Sequence, residues 1–288
     1  MNKYKMKTIY YALVLISFFS FLVCEKNKNP LSPEPDQFIY PIKIGNQWEY
    51  NRIFFFFNRR PDFIMTQDTI FSLVVMEITR EKILNNSIKT YLFLEAINEM
   101  GSVFTGESYY TNQKDGLYRY AYRYKSTSLV IPKTNLKNKI LFKGRYFNNV
   151  SDITYFLTKM INSYNLISDS IIYETPPLLA IKYPLAINSQ WTYRVVEQRW
   201  YIDKKIITKE IVQVPAGKFD CYKIQWLYDF DNNSQWDDDI IFYDYICNKG
   251  LIKRSMIFKD CVATNETGDS LGLFDVKDES VLVKLKLY

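Results

Sequence analysis

From residue 40 to the C-terminus the dominant pattern along the chain has a period of two. Trp48, Tyr50 and Arg52 share one parity ahead of the apolar run 53–57. Residues 90–97 form a compact apolar segment, and Tyr118, Tyr120, Tyr122 and Tyr124 alternate with Arg119, Ala121 and Arg123. Such alternation marks strands with one buried face. The second half continues with strand-like segments at 192–202, 205–214, 221–230, 240–246 and 251–258, and it closes on VLVKLKLY from Val281. Val214-Pro215-Ala216-Gly217 reads as a turn between two of them, because Pro and Gly interrupt a ladder. One segment breaks the period. Ile153, Phe156, Leu157, Met160, Ile161 and Tyr164 follow i, i+3, i+4 spacing and predict a helix over about 151–164, capped by Ser151-Asp152. A helix of this kind beside a twisted sheet covers the sheet's apolar face.

The N-terminus follows another rule. Lys3, Lys5 and Lys7 precede a 16-residue apolar stretch, Thr8 to Val23, which ends at Cys24. About 20 residues are needed to span a bilayer as a helix, so the stretch fits the apolar core of an export signal better than a membrane anchor. Phe21-Leu22-Val23-Cys24 stands where a lipobox belongs, although Phe21 and Val23 are bulkier than its usual residues. Residues 1–23 are therefore expected to be a signal peptide and Cys24 a lipidation site that attaches the chain to a membrane. Residues 24–39 contain Pro30, Pro33 and Pro35 among polar residues and read as an extended tether.

The chain also contains itself twice. YPIKIGNQWEY at 40–50 and YPLAINSQWTY at 183–193 share Tyr40/Tyr183, Pro41/Pro184, Gln47/Gln190, Trp48/Trp191 and Tyr50/Tyr193 in identical spacing. Downstream, Gly116-Leu117 and Gly250-Leu251 each open a strand that carries a basic residue, Arg119 or Arg254. A duplicated unit follows from this order. The expected fold is mainly β: two tandem curved antiparallel sheets, half-barrel-like, joined by a helix-containing linker. β-domain 1 would span 40–125, the linker 126–182 and β-domain 2 183–288, with Trp48, Tyr50, Trp191 and Tyr193 as the repeat core.

Composition narrows the chemistry. The formal charge of +6 falls to +3 over residues 24–288 once the three signal lysines are removed. That balance gives no reason to expect a nucleic-acid partner. With no histidine, the chain lacks the commonest general base and metal ligand, and a Ser-His-Asp or Cys-His site is impossible within it. Cys221, Cys247 and Cys261 have no CxxC spacing, so zinc is not expected. In an oxidising compartment one disulfide among them and one leftover thiol is the simplest outcome, and three pairings are open.

Candidate sites are few. Asp229, Asp231 and Asn233 have the alternate spacing of a calcium loop, but Ser234 stands at the turn glycine and Ile240 at the bidentate glutamate. A polar hairpin is the simpler reading, and no metal or other cofactor is expected. Asp237 and Asp239 would project about 7 Å apart from one side of a strand, a separation that glycoside hydrolysis can use. The stripe Tyr118, Tyr120, Tyr122 and Tyr124 is the candidate binding surface, with sheet core as its plain alternative. Phe54 to Phe57 places aromatics on both sides of one strand, so either both faces are covered or one meets a partner or lipid.

With these motifs in hand, the chain resembles a group of bacterial lipoproteins whose domains open with Tyr-Pro-Leu-x-x-Gly-x-x-Trp-x-Tyr. They continue through a Val-Pro-Ala-Gly-x-Phe hairpin and a Gly-Leu strand followed by a basic residue. YPIKIGNQWEY, VPAGKFDCYKI and NKGLIKR match those words, with Asn188 replacing the opening glycine in the second copy. The resemblance covers about 40–125 and 183–260 and implies a shape similar to the curved half-barrel of the LolA/LolB lipoprotein carriers. It carries no activity. The expected function is that of an envelope lipoprotein, at the outer membrane, acting without catalysis as a carrier, binding or scaffold module for an apolar or macromolecular partner such as an envelope protein. The alternative is a carbohydrate-active enzyme using Asp237 and Asp239.

Overall fold

The computed structural model describes residues 38–61, 69–85, 87–99, 102–126, 139–159, 170–196 and 200–288. The expected signal peptide, Cys24 and the expected tether up to residue 37 lie outside the described residues, as do 160–164 of the expected helix and the side chain of Tyr124.

Two meanders of six strands build the body. The first comprises β1 (Gln47–Arg60), β2 (Thr69–Leu84), β3 (Ile88–Glu99), β4 (Ser102–Gln113), β5 (Gly116–Ser126) and β8 (Ile172–Lys182). Between β5 and β8 come a small hairpin, β6 (Lys139–Phe142) and β7 (Arg145–Phe147), and the helix α1 (Val150–Lys159). The second meander comprises β9 (Gln190–Val196), β10 (Trp200–Val214), β11 (Gly217–Asp229), β12 (Ile240–Cys247), β13 (Gly250–Thr264) and β14 (Ser270–Lys286). The mainly β, curved antiparallel expectation holds. The two runs meet in one sheet of order β8-β5-β4-β3-β2-β1-β14-β13-β12-β11-β10-β9, with β6 paired on β13. The join is the pairing of β1 with β14, from Gln47↔Lys286 to Arg60↔Leu273.

This order makes β8 and β9 the two edges, and the sheet curls until they lie side by side. Side chains hold them together. Trp191 Nε1 of β9 donates to Leu179 O at 3.0 Å, Arg194 of β9 reaches Glu174 at 2.7 Å, and Lys204 Nζ of the adjoining β10 donates to Ala180 O at 2.9 Å. Pro176 and Pro177 in β8 have no N–H to offer a ladder, which suits a strand that stays an edge. The body is therefore a barrel closed by backbone pairing everywhere except at the β8/β9 seam.

The two Gln-Trp segments build the same turn. Gly45 N donates to Ile78 O at 2.8 Å and Ile78 N to Asn46 O at 2.9 Å; Asn188 N donates to Ile206 O at 2.7 Å and Ile206 N to Ser189 O at 2.9 Å. Ile78 and Ile206 are both fully buried, and each directly precedes a bulge in its own strand. Gly45 has φ +90° and Asn188 φ +68°. Asparagine tolerates that left-handed region better than most residues, which explains how it can replace the glycine.

Several strands differ in detail from the sequence pattern. The segment 192–202 folds back on itself, so that Trp200 pairs with Val196 across β9 and β10. Residues 172–182 form a full strand of the sheet. The hairpin tip at Val214–Gly217 docks on β14 through Ala216 N to Leu282 O at 3.2 Å. Asn149 rather than Ser151 or Asp152 caps α1, since its Oδ1 accepts from Asp152 N at 2.9 Å. α1 buries Ile153, Phe156 and Leu157 completely or nearly so, and Tyr228 OH on β11 donates to Leu157 O at 3.1 Å.

Candidate functional site

Period-two alternation sends Trp48, Tyr50, Arg52, Phe54 and Phe56 of β1 inward and leaves Phe55 outside. An arginine on the apolar parity signals an interior that is not purely hydrophobic. The interior holds a cavity of about 180 Å³ beneath α1, walled by strands of both meanders. Its charged lining residues are Arg52, Glu95, Arg119, Lys204, Asp244 and Arg254, with Asp278 and Glu174 directly behind Arg52 and Arg119.

Each cation is held in place. Arg52 donates from Nε and Nη2 to the two oxygens of Asp278 at 2.9 and 2.7 Å, and Thr154 Oγ1 of α1 adds a bond of 2.8 Å to the same carboxylate. Arg254 grips Asp244 in the same two-pronged way at 2.7 and 3.0 Å, while Trp226 Nε1 donates to Asp244 Oδ2 at 2.8 Å. Arg119 and Arg194 both donate to Glu174 Oε1 at 2.7 Å, so two guanidinium groups share one carboxylate at the seam. Lys204 Nζ lies 4.1 Å from the Tyr193 ring centre and 3.8 Å from that of Trp226. Burial pushes the Tyr40 and Tyr50 phenols well above their ordinary value, so both line the cavity as neutral groups.

These charges are expensive. Apolar residues of similar volume in place of a buried ion pair often leave a protein equally or more stable. Their concentration around one cavity makes it the candidate site. The fit is for a small group, because ordinary ligand pockets run from about 300 to 1,000 Å³.

The residues singled out in the sequence fall in several places. Trp48, Tyr50, Trp191 and Tyr193 are all buried. Trp48 Nε1 donates to Lys249 O at 2.6 Å and Tyr50 OH to Leu251 O at 2.9 Å, so the first Trp-x-Tyr seats on the Gly-Leu turn of the second meander. Tyr50 and Tyr193 line the cavity. On β5 the inward residues at the cavity are Leu117 and Arg119. Tyr118 and Tyr120 are half-buried and bond Asp115 and Gln113, and Tyr122 is buried with Arg119 over its ring. A bulge at Tyr120, between Arg119 and Ala121, breaks the parity that would have placed the tyrosines on one face.

Asp237 and Asp239 converge on one ammonium group. Lys143 Nζ in the β6–β7 turn stands 2.6 Å from Asp237 and 2.9 Å from Asp239. Burial disfavours that charge, but the bonds to both acids outweigh it and raise the lysine above its ordinary value. The preceding acids fold their own loop: Asp229 accepts from the backbone of Asn233 and Ser234 at 3.1 and 3.0 Å, and Asn233 Nδ2 donates to Asp231 at 2.9 Å. Cys221, Cys247 and Cys261 are buried free thiols. Lys204, Asp244 and Glu174 carried no motif; only a charge at an inward parity could have pointed to them.

Fold and interior together define a barrel-like double meander with a charged internal cavity. No protein-family profile matches the chain, and no curated protein matches it. Among solved structures, the chain is similar to a presumed exported protein with a YmcC-like fold from Bacteroides fragilis, at 12% identity over 87% of this chain and 99% of that one, with a TM-score of 0.37. It is also similar to a presumed lipoprotein from Parabacteroides distasonis, at 15% identity over 87% and 99% of the two chains, with a TM-score of 0.35. The chemistry of the site rests on its own geometry.

Proposed function

We propose that this chain is a cell-envelope lipoprotein, moored at the outer membrane through Cys24, whose barrel interior binds a small anionic molecule without transforming it. The observation that carries this reading is the gathering of Lys204 and three arginines at one cavity, the arginines braced by Asp278, Glu174 and Asp244 and the lysine by Ala180 O and the rings of Tyr193 and Trp226. A carboxylate or phosphate would take charge-assisted bonds there, in a site where the surrounding protein weakens screening. At about 180 Å³ the cavity suits a compact anion and not an acyl chain. Asp237 and Asp239 act in this reading as the clamp that fixes the β6–β7 turn.

Melting curves of the full chain in detergent test it, with a panel of small carboxylates and phosphates set against their neutral analogues. A ligand at about 100 times its Kd adds about 2.7 kcal/mol of stability. At least one anion should raise the melting temperature of the wild type and not of Lys204→Met. If no anion does so, the reading fails.

A second reading has an observation of its own. Phe55, Phe71 and Leu73 on neighbouring β1 and β2 are 46%, 68% and 42% exposed on the outer face, a patch that suits an envelope protein as partner. Crosslinking in intact cells from a photoreactive residue at Phe71 would recover one fixed partner if that face docks, and only scattered products if it does not.

A further inference from the structure

Tyr222 of β11 pairs with Ile246 of β12. Continued by one residue, that antiparallel register brings Cys221 to face Cys247; both are buried, and their thiols share a hydrogen bond. Opposed residues on paired strands have a Cα separation within the span of a disulfide, and their Cβ atoms, about 4.5–5.5 Å apart, must close by up to about 1 Å to reach its usual range. Cys261 sits elsewhere, on β13 opposite Phe274. The β12–β13 turn also prepares one of the two sulfurs: Lys249 N donates to Cys247 Sγ at 3.4 Å. The Cys221 thiol against it has the larger effect, and together they bring Cys247 down to about 7 although burial opposes them. Cys221 moves the opposite way, because its proton is shared with Cys247 and its own burial adds to the effect.

We propose that Cys221 and Cys247 are a redox pair that closes to a cross-strand disulfide between β11 and β12, with Cys261 left as a thiol. The oxidant is the disulfide of an exported thiol–disulfide exchange partner. Cys247 thiolate attacks one sulfur of that disulfide, and the other sulfur leaves as a thiolate. Cys221, deprotonated in turn, attacks Cys247 Sγ and releases the second sulfur of the oxidant. Two protein thiols lose two electrons and two protons, and the oxidant is reduced to two thiols. The exchange takes place as the β11–β12 pair forms, before both sulfurs are buried. Closure would tie the acidic loop between the two strands into a covalent ring, next to the turn that seats Trp48. Only the cellular half of the proposal rests on the export reading; the pairing rests on the strand register.

The test refolds the reduced full chain in detergent with a buffer of oxidised and reduced glutathione, blocks free thiols with N-ethylmaleimide, and maps tryptic peptides without reduction. Peptides 219–223 and 224–249 should be found linked, with Cys261 alkylated. The link should survive Cys261→Ser and vanish in Cys247→Ser. Alkylation of both Cys221 and Cys247 in the wild type, or a bridge from either to Cys261 or Cys24, overturns the pairing. The same mapping on protein from acid-quenched cells separates the two claims. A link that forms in the glutathione buffer and not in the cell contradicts export and leaves the pair standing.

Discussion

Gly250 has φ +103°, and a Cβ built on it would stand 2.8 Å from Trp48 Nε1. Gly144 has φ +69° with nothing within 4 Å of such a Cβ. Both positions strain any other residue, but only the first also collides with a fully buried indole. Gly250→Ala should therefore cost at least about 2 kcal/mol of unfolding free energy and Gly144→Ala about 1, read from urea denaturation. Equal costs would mean that the Trp48 seat contributes little. Arg52 supplies a second comparison, since it and Asp278 are 6% and 1% exposed. Arg52→Leu leaves a buried carboxylate without its cation and should cost about 3–5 kcal/mol, whereas the double variant Arg52→Leu/Asp278→Leu should recover most of that loss. Much was legible at this scale. The four repeat aromatics named by the Trp-x-Tyr words are buried, and the first of those words touches the second Gly-Leu word. Glu174 and Lys204 were not legible, because a charge becomes informative only once the facing strand is known.

Among the elements, α1 offers a pH-dependent test. Burial pushes the Asp152 carboxyl from its ordinary 3.8 to about 6, and Glu99 adds to this while bonds from Asn148 and Asn149 oppose it. The folded chain thus binds that proton more tightly than the unfolded chain does. The resulting stability is full below pH 4 and is lost as the pH rises through 6. Asp152→Asn imitates the protonated form. It should match the wild type near pH 4 and exceed it by about 1–3 kcal/mol at pH 7.5, as measured by denaturant titration at both values. A constant difference across that range would show that Asp152 is not perturbed in the fold. Helix and hairpins were legible from their periods and from Val-Pro-Ala-Gly. The fold-back inside 192–202 was not, because both of its arms read as strand.

For the molecule as a whole, two six-stranded meanders close on each other at β1/β14 by backbone pairing and at β8/β9 by side chains. Period-two patterning identifies strands but not their neighbours, so a join between residues more than two hundred positions apart was invisible in the sequence. The same limit hid the cavity, which exists only because inward charges from both meanders face one another. The most direct measurement is native mass spectrometry of the full chain, extracted in mild detergent from the cells that make it. The account predicts one small anion retained per chain, lost on denaturation and absent from Lys204→Met. A bare protein mass from gently handled wild type, or a retained molecule that is neutral or cationic, would contradict it.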